Sequence, residues 1–183
     1  MNISLLINQL IGLLCLGWLL IFAGYYIWSI TVAAPYVPSL GKTRQKMLAR
    51  ALEYWQKNRS RRNGRLKALE LGAGDANLSF ALAKIGYRTV AIERQPYLAL
   101  FARIRKLISR ERKIQIARQD IFKWQDWDQD LVIVYLYPHL MERLEPILFG
   151  KLPKGAWIIS NTFHFTKRTP LFEIGKVIVY EVN

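Results

Sequence analysis

An α/β fold, with a mostly parallel sheet, a C-terminal antiparallel hairpin and one transmembrane helix ahead of it, is predicted by three observations. Short apolar segments alternate with helical patterns from residue 66 to residue 163, as in strands joined by crossover helices. One segment, Leu66-Lys-Ala-Leu-Glu-Leu71, runs straight into Gly72-Ala-Gly74, a strand-to-helix turn where backbone can approach a nucleotide closely. Asp, Glu, Lys and Arg are absent from residues 1–41, so all 27 basic and 13 acidic residues of the 183-residue chain lie beyond that point.

Residues 3–30 are almost wholly apolar, broken only by Ser4, Asn8, Gln9 and Ser29. A helix of that length reaches roughly 40 Å, beyond the ~30 Å hydrocarbon core. Asn8 and Gln9 then sit near one interface, and Tyr25, Tyr26 and Trp28 form an aromatic belt at the other. The alternative is a secretory signal peptide. Against it, the amino terminus has no basic residues, the apolar run is too long, and a cut after Ala34 would fall before Pro35. Lys42, Arg44, Lys46 and Arg50 follow the helix closely. By the positive-inside rule the amino terminus is outside and the following domain faces the cytoplasm, or an organelle's matrix. Pro35 and Pro38 stop the helix from continuing. The expected organisation is a transmembrane helix over 1–30, a linker over 31–41 and a domain over 42–183.

That domain is long enough to bury one ordinary core. It carries the whole net charge of +14, which favours anionic surfaces. Six basic residues crowd into residues 57–67. Contact with anionic lipid fits this run better than nucleic acid, which calls for interleaved aromatics that the run lacks. Cys15, the single cysteine, excludes a disulfide framework and a cysteine metal site.

The elements follow in order. Residues 43–57 read as a helix with Met47, Leu48, Ala51, Leu52 and Trp55 on one face. Strand 66–71 and helix 78–84 flank the glycine turn. Strand 89–93 precedes a helix over 97–110 with an expected basic outer face. Strand 114–118 comes next, then strand 130–136, the most apolar and so the most central. Pro138 suits the first turn of a helix to about 149. Strand 156–163 and a hairpin across Gly175 complete the chain.

Three acids end three consecutive strands, Glu70, Glu93 and Asp120. In an open α/β sheet, ligands bind outside the carboxyl ends of the strands, so these acids ring one crevice. Glu93 lies 19 residues past Gly74, close to the spacing of a ribose-binding carboxylate. A dinucleotide fold asks for a third glycine where this chain has Asn77, and it leaves Glu70 and Asp120 without a task. S-adenosyl-L-methionine, with a free amino group, a ribose and an exposed adenine, uses all three.

From about residue 35 onward the chain resembles the membrane-anchored class I methyltransferases that modify protein lysines. These include the enzymes acting on the ATP synthase c-subunit and the adenine nucleotide translocator, and soluble archaeal relatives. The resemblance rests on Pro35-Tyr-Val-Pro38, Glu70-Leu-Gly-Ala-Gly-Asp75, Ala91-Ile-Glu93, Asp120-Ile-Phe122, Tyr135-Leu-Tyr-Pro138 and Lys176-Val-Ile-Val-Tyr180. It implies a Rossmann-like class I methyltransferase fold. It also implies that Glu70 lies near the methionine amino group and that Gly72 and Gly74 admit the methionine and ribose. Glu93 then binds the ribose hydroxyls, and Asp120, with Ile121 beside it, binds near the adenine. Tyr36 would line a lysine channel instead of merely spacing the linker. The chain departs from the family's Gly-Asp-Gly-Arg at Ala76 and Asn77.

Apolar, aromatic walls help a lysine lose its proton, and Tyr36, Tyr135, Tyr137 and Phe163 are candidates, each with core packing as the alternative. Leu136-Tyr-Pro-His139 lacks the amide or carboxylate carried by adenine- and glutamine-directed enzymes. His139 and His164 follow strands on the ligand side, where one could act as a base or both could be idle. They make a poor metal site, and Asp126, Asp128 and Asp130 read as a loop, so no metal is expected. The expected partners are the bilayer and a protein presenting a lysine near it. A methyltransferase for a lipid or quinone-like molecule, and a non-catalytic nucleotide- or RNA-binding module, are the rivals.

Overall fold

The computed structural model describes residues 3–32, 41–58 and 60–183. The chain divides into two units, Met1–Tyr36 and Val37–Asn183. In the first, α1 (Ile3–Val32) is one helix of 30 residues. Its span Leu6–Ile27 has a mean hydropathy of 2.1, apolar and long enough to cross a membrane.

The second unit opens with α2 (Gly41–Asn58) and continues β1 (Lys67–Leu71), α3 (Asn77–Ile85), β2 (Arg88–Glu93), α4 (Pro96–Ser109) and β3 (Ile114–Arg118). It closes with β4 (Leu131–Val134), α5 (Pro138–Lys151), β5 (Trp157–Asn161), β6 (Phe172–Ile174) and β7 (Val177–Glu181). The seven strands form one sheet in the order β3-β2-β1-β4-β5-β7-β6. β1 pairs in parallel with β2 on one side and β4 on the other, so the strand order reverses at β1 and the switch point lies at its carboxyl end, beside β4. β7 runs antiparallel to both β5 and β6. The turn between β6 and β7 holds Gly175 at φ 65°.

β4 is the middle strand, and Leu131, Val132, Ile133 and Val134 are all buried, as its uniform apolarity requires. It is shorter than the sequence reading, because Tyr135 and Leu136 lie beyond the ladder and Leu136 meets the glycine turn. Alternation divides the strand residues between two faces. Leu69, Val132 and Ile158 pack with Met141, Leu144 and Leu148 of α5. Ala68, Ile133 and Ile159 pack with Met47 and Ala51 of α2 and Leu82 of α3.

Two helix faces differ from expectation. On α2, Tyr54 joins Met47 and Ala51 in the core, while Leu52 stays exposed. The reason is polar: the Tyr54 hydroxyl donates to the Gly155 carbonyl at 2.9 Å, and its ring lies 5.1 Å from that of Trp157. On α4, the outer face is mainly apolar, with the exposed Arg103 beside it. Leu100, Phe101, Ile104, Leu107 and Ile108 are exposed, and the sheet side uses Leu98, Ala99 and Ala102.

Candidate cofactor site at the switch point

β1 ends at Leu71, and the next residues turn sharply. Gly72 and Gly74 adopt φ 72° and 57°, in the left-handed region that glycine enters without steric cost. A Cβ on Gly72 would meet Leu136 Cδ2 at 2.8 Å, so the tail of β4 lies directly against the turn. Ala76 also has a positive φ, 57°, and is fully buried at the start of α3. A left-handed φ costs a residue with a Cβ more than it costs glycine, so Ala76 holds this turn at some strain.

Glu93 closes the turn from the neighbouring strand. One carboxylate oxygen accepts from the Gly74 N–H at 2.7 Å, and the other from the Gln95 N–H at 2.7 Å. Burial pushes its pKa up, with these backbone donors acting in opposition. Each oxygen has two acceptor lone pairs, so Glu93 can hold the turn and still accept from a ligand hydroxyl. At the same strand end, Gln95 Oε1 is buried and has no hydrogen-bond partner among the described residues. An orphaned buried acceptor is rare, and an N–H or O–H of a bound cofactor would satisfy it. The cradle therefore fits S-adenosylmethionine: glycines where backbone must come close, a carboxylate for hydroxyls, and an acceptor without a protein donor.

Glu70 ends β1 one residue before Leu71. Its Oε2 accepts from the Ser79 N–H at 2.8 Å and from the Ser79 hydroxyl, so it satisfies a donor in the first turn of α3. Burial is the main cause that raises its pKa to about 7; the Ser79 bonds act the other way, and Asp75 and Glu93 add to the rise. Asp120 follows β3 and accepts from the Phe122 N–H at 3.0 Å, capping the 3₁₀ turn Ile121–Lys123. Ile121 puts its side chain in the core with Leu71 and Ile92. Tyr135 and Tyr137 lie half-buried after β4. Tyr137 stacks on His139, with ring centroids 6.3 Å apart. Tyr36 lies outside the described residues.

Sequence reasoning missed Gln95 and Arg105. Arg105, on α4, donates to Asn77 Oδ1 and sits 4.2 Å above the Phe80 ring. Asn77 in turn bonds Asp75 through both its backbone and its amide. A guanidinium thus reaches residue 77 from another helix. His164 meets Glu173 on the surface at 2.9 Å, and Asp128 and Asp130 bond Lys67 at the opposite end of the strands.

A seven-stranded sheet of this order, with a glycine turn at its switch point, defines the Rossmann-like class I methyltransferase fold. An RNA methyltransferase from Salinibacter ruber, solved with S-adenosyl-L-homocysteine, superposes with a TM-score of 0.66. The overlap covers 80% of this chain and 94% of that one at 24% identity, which speaks for the fold alone. Residues 70–172, more than half of the chain, match the family described as the ANTKMT methyltransferase domain, and the chain belongs to that family. The lysine N-methyltransferase of the ATP synthase c-subunit from Mus musculus is 27% identical over 150 residues, 80% of this chain and 56% of the relative. The adenine nucleotide translocase lysine N-methyltransferase of Mus musculus is 28% identical over 123 residues, 64% of this chain and 54% of the relative. The chain thus spans a little over half the length of these relatives.

Proposed function

We propose that the protein is an S-adenosylmethionine-dependent methyltransferase that N-methylates a lysine of a membrane-associated protein. In this reading α1 is a transmembrane anchor and the Val37–Asn183 unit faces the cytoplasm, or the matrix of an organelle. The observation that carries the reading is the Gly72–Gly74 turn, tied by Glu93 at the switch point of a methyltransferase-family sheet. The lysine assignment is supported by two relatives named as lysine N-methyltransferases of membrane proteins.

When bound, the cofactor supplies a methyl group on an already activated sulfonium. The chain's residues have the remaining tasks. Glu93, Gly72 and Gly74 hold the ribose and methionine portions, and Asp120 and Ile121 hold the adenine end. Glu70 faces the cofactor's amino group, whose positive charge favours the ionised carboxylate. Tyr135, Tyr137 and Phe163 wall the lysine approach. Such walls raise the cost of the ammonium form and hold the neutral amine in line for transfer. Residues 57–67 rest against anionic head groups.

Calorimetric titration of the full chain with S-adenosylmethionine tests the cofactor assignment. Wild type binds, and Glu93→Ala weakens binding by roughly ten- to a hundredfold, the effect of losing charge-assisted hydrogen bonds. Absence of binding by a folded wild-type chain would sink the enzyme reading and leave a non-catalytic module.

A further inference from the structure

Among the described residues outside α1, nine large hydrophobic side chains are exposed, and six of them are on α4. They are Tyr97, Leu100, Phe101, Ile104, Leu107 and Ile108. At 3.6 residues per turn these six fall within an arc of about 120°, and the buried Leu98, Ala99 and Ala102 occupy the opposite arc. So α4 satisfies the sheet with one leucine and two alanines and turns its larger apolar face away from the core. Arg103 and Arg105 flank the apolar arc, one on each side. Residues 96–113 carry six basic residues and one acidic residue, Glu111.

We propose that the outer face of α4 is a second membrane contact, an interfacial helix lying on an anionic leaflet. Leu100, Phe101, Ile104, Leu107 and Ile108 sink toward the acyl-chain boundary, while the exposed Arg103 at the edge of the arc meets lipid phosphates. This rests on the reading of α1 as a membrane anchor. A contiguous apolar patch of this size marks an interaction surface. An apolar arc bordered by cations is the pattern of helices that lie in a membrane interface, and the single sign of charge complements acidic head groups. The chain tethers this unit to α1 through residues 33–40, so an anchored protein always has a lipid surface within reach. α4 begins three residues after Glu93, so its seating on the bilayer would also orient the rim of the cofactor crevice toward a membrane-held substrate.

The test uses the full chain reconstituted in vesicles of phosphatidylcholine, with and without one third phosphatidylglycerol. A polarity-sensitive fluorophore is attached to the native Cys15 in one sample. In two others it is attached to Leu107→Cys or Glu142→Cys, each combined with Cys15→Ser. Glu142 is exposed on α5, across the sheet from α4. Spin-labelled lipids report depth. The expected result is deep quenching at Cys15 and shallow quenching with a blue-shifted emission at position 107. Position 142 stays aqueous, and the signal at 107 falls several-fold without phosphatidylglycerol. Leu107 and Ile108 are 79% and 77% exposed, so Leu107→Glu with Ile108→Glu leaves the core intact. That pair removes the quenching read from Leu100→Cys. An aqueous signal at 107 beside a quenched Cys15 overturns the proposal and leaves the anchor standing. An aqueous Cys15 overturns both. A shielded signal at 107 that disappears on diluting the protein in lipid assigns the face to a second copy and overturns the lipid contact.

Discussion

Glu93 joins two neighbouring strand ends, because its two oxygens accept from Gly74 and Gln95 on either side. Glu93→Gln keeps the size but replaces one acceptor oxygen with an amide, so one of these N–H groups loses its partner. The expected result is a loss of about 1–3 kcal/mol in stability, read by denaturant titration, together with the fall in cofactor affinity. Glu70 has a different signature. Its pKa is about 7 in the folded chain against an ordinary 4.5, so the folded state holds its proton more tightly than the unfolded state does. Its stabilising contribution is complete below pH 4.5 and is lost as pH rises through 7. Thermal unfolding should therefore show stability falling between pH 5 and pH 8 by up to about 3 kcal/mol from this group. Glu93, also raised, adds in the same sense. Glu70→Gln, which can still accept from Ser79, should flatten that slope. At this scale the sequence marked the strand-end acids but not their partners. Ser79 lies nine residues beyond Glu70, and nothing in the spacing says that the carboxylate turns back onto a helix.

The glycine turn works as an element because the tail of β4 closes over it. Gly72→Ala would place a methyl group 2.8 Å from Leu136 Cδ2 at a φ of 72°. It should destabilise the domain by about 1–3 kcal/mol, and Leu136→Ala in the same chain should recover only the contact part of that loss. Strand identity was legible because uniformly apolar runs such as Leu131-Val-Ile-Val134 have one home, the middle of a parallel sheet. The outer face of α4 was not. Only packing shows that Leu98, Ala99 and Ala102 face the sheet and that the larger apolar residues face out. Arg105 also reaches Asn77 from α4, a contact that the spacing of the sequence does not announce. Arg105→Ala should loosen the start of α3 and lower cofactor affinity several-fold, measured in the same titration, with stability changed by about 1 kcal/mol.

At the scale of the whole molecule, composition separates two tasks. An uncharged 41-residue start carries the apolar helix, and a strongly basic remainder carries the sheet. If α1 anchors the chain, the protein should remain in the membrane fraction through an alkaline carbonate wash. A peripheral protein held by charge alone would be released. Under the proposed function, such an anchor would confine enzyme and substrate to one surface. The most direct test of the central claim is to add the purified full chain and methyl-labelled S-adenosylmethionine to membranes that lack the endogenous protein. Label should appear in a protein band, and its acid hydrolysate should release methylated lysine. Label recovered in the lipid extract, with none in protein, would contradict the account.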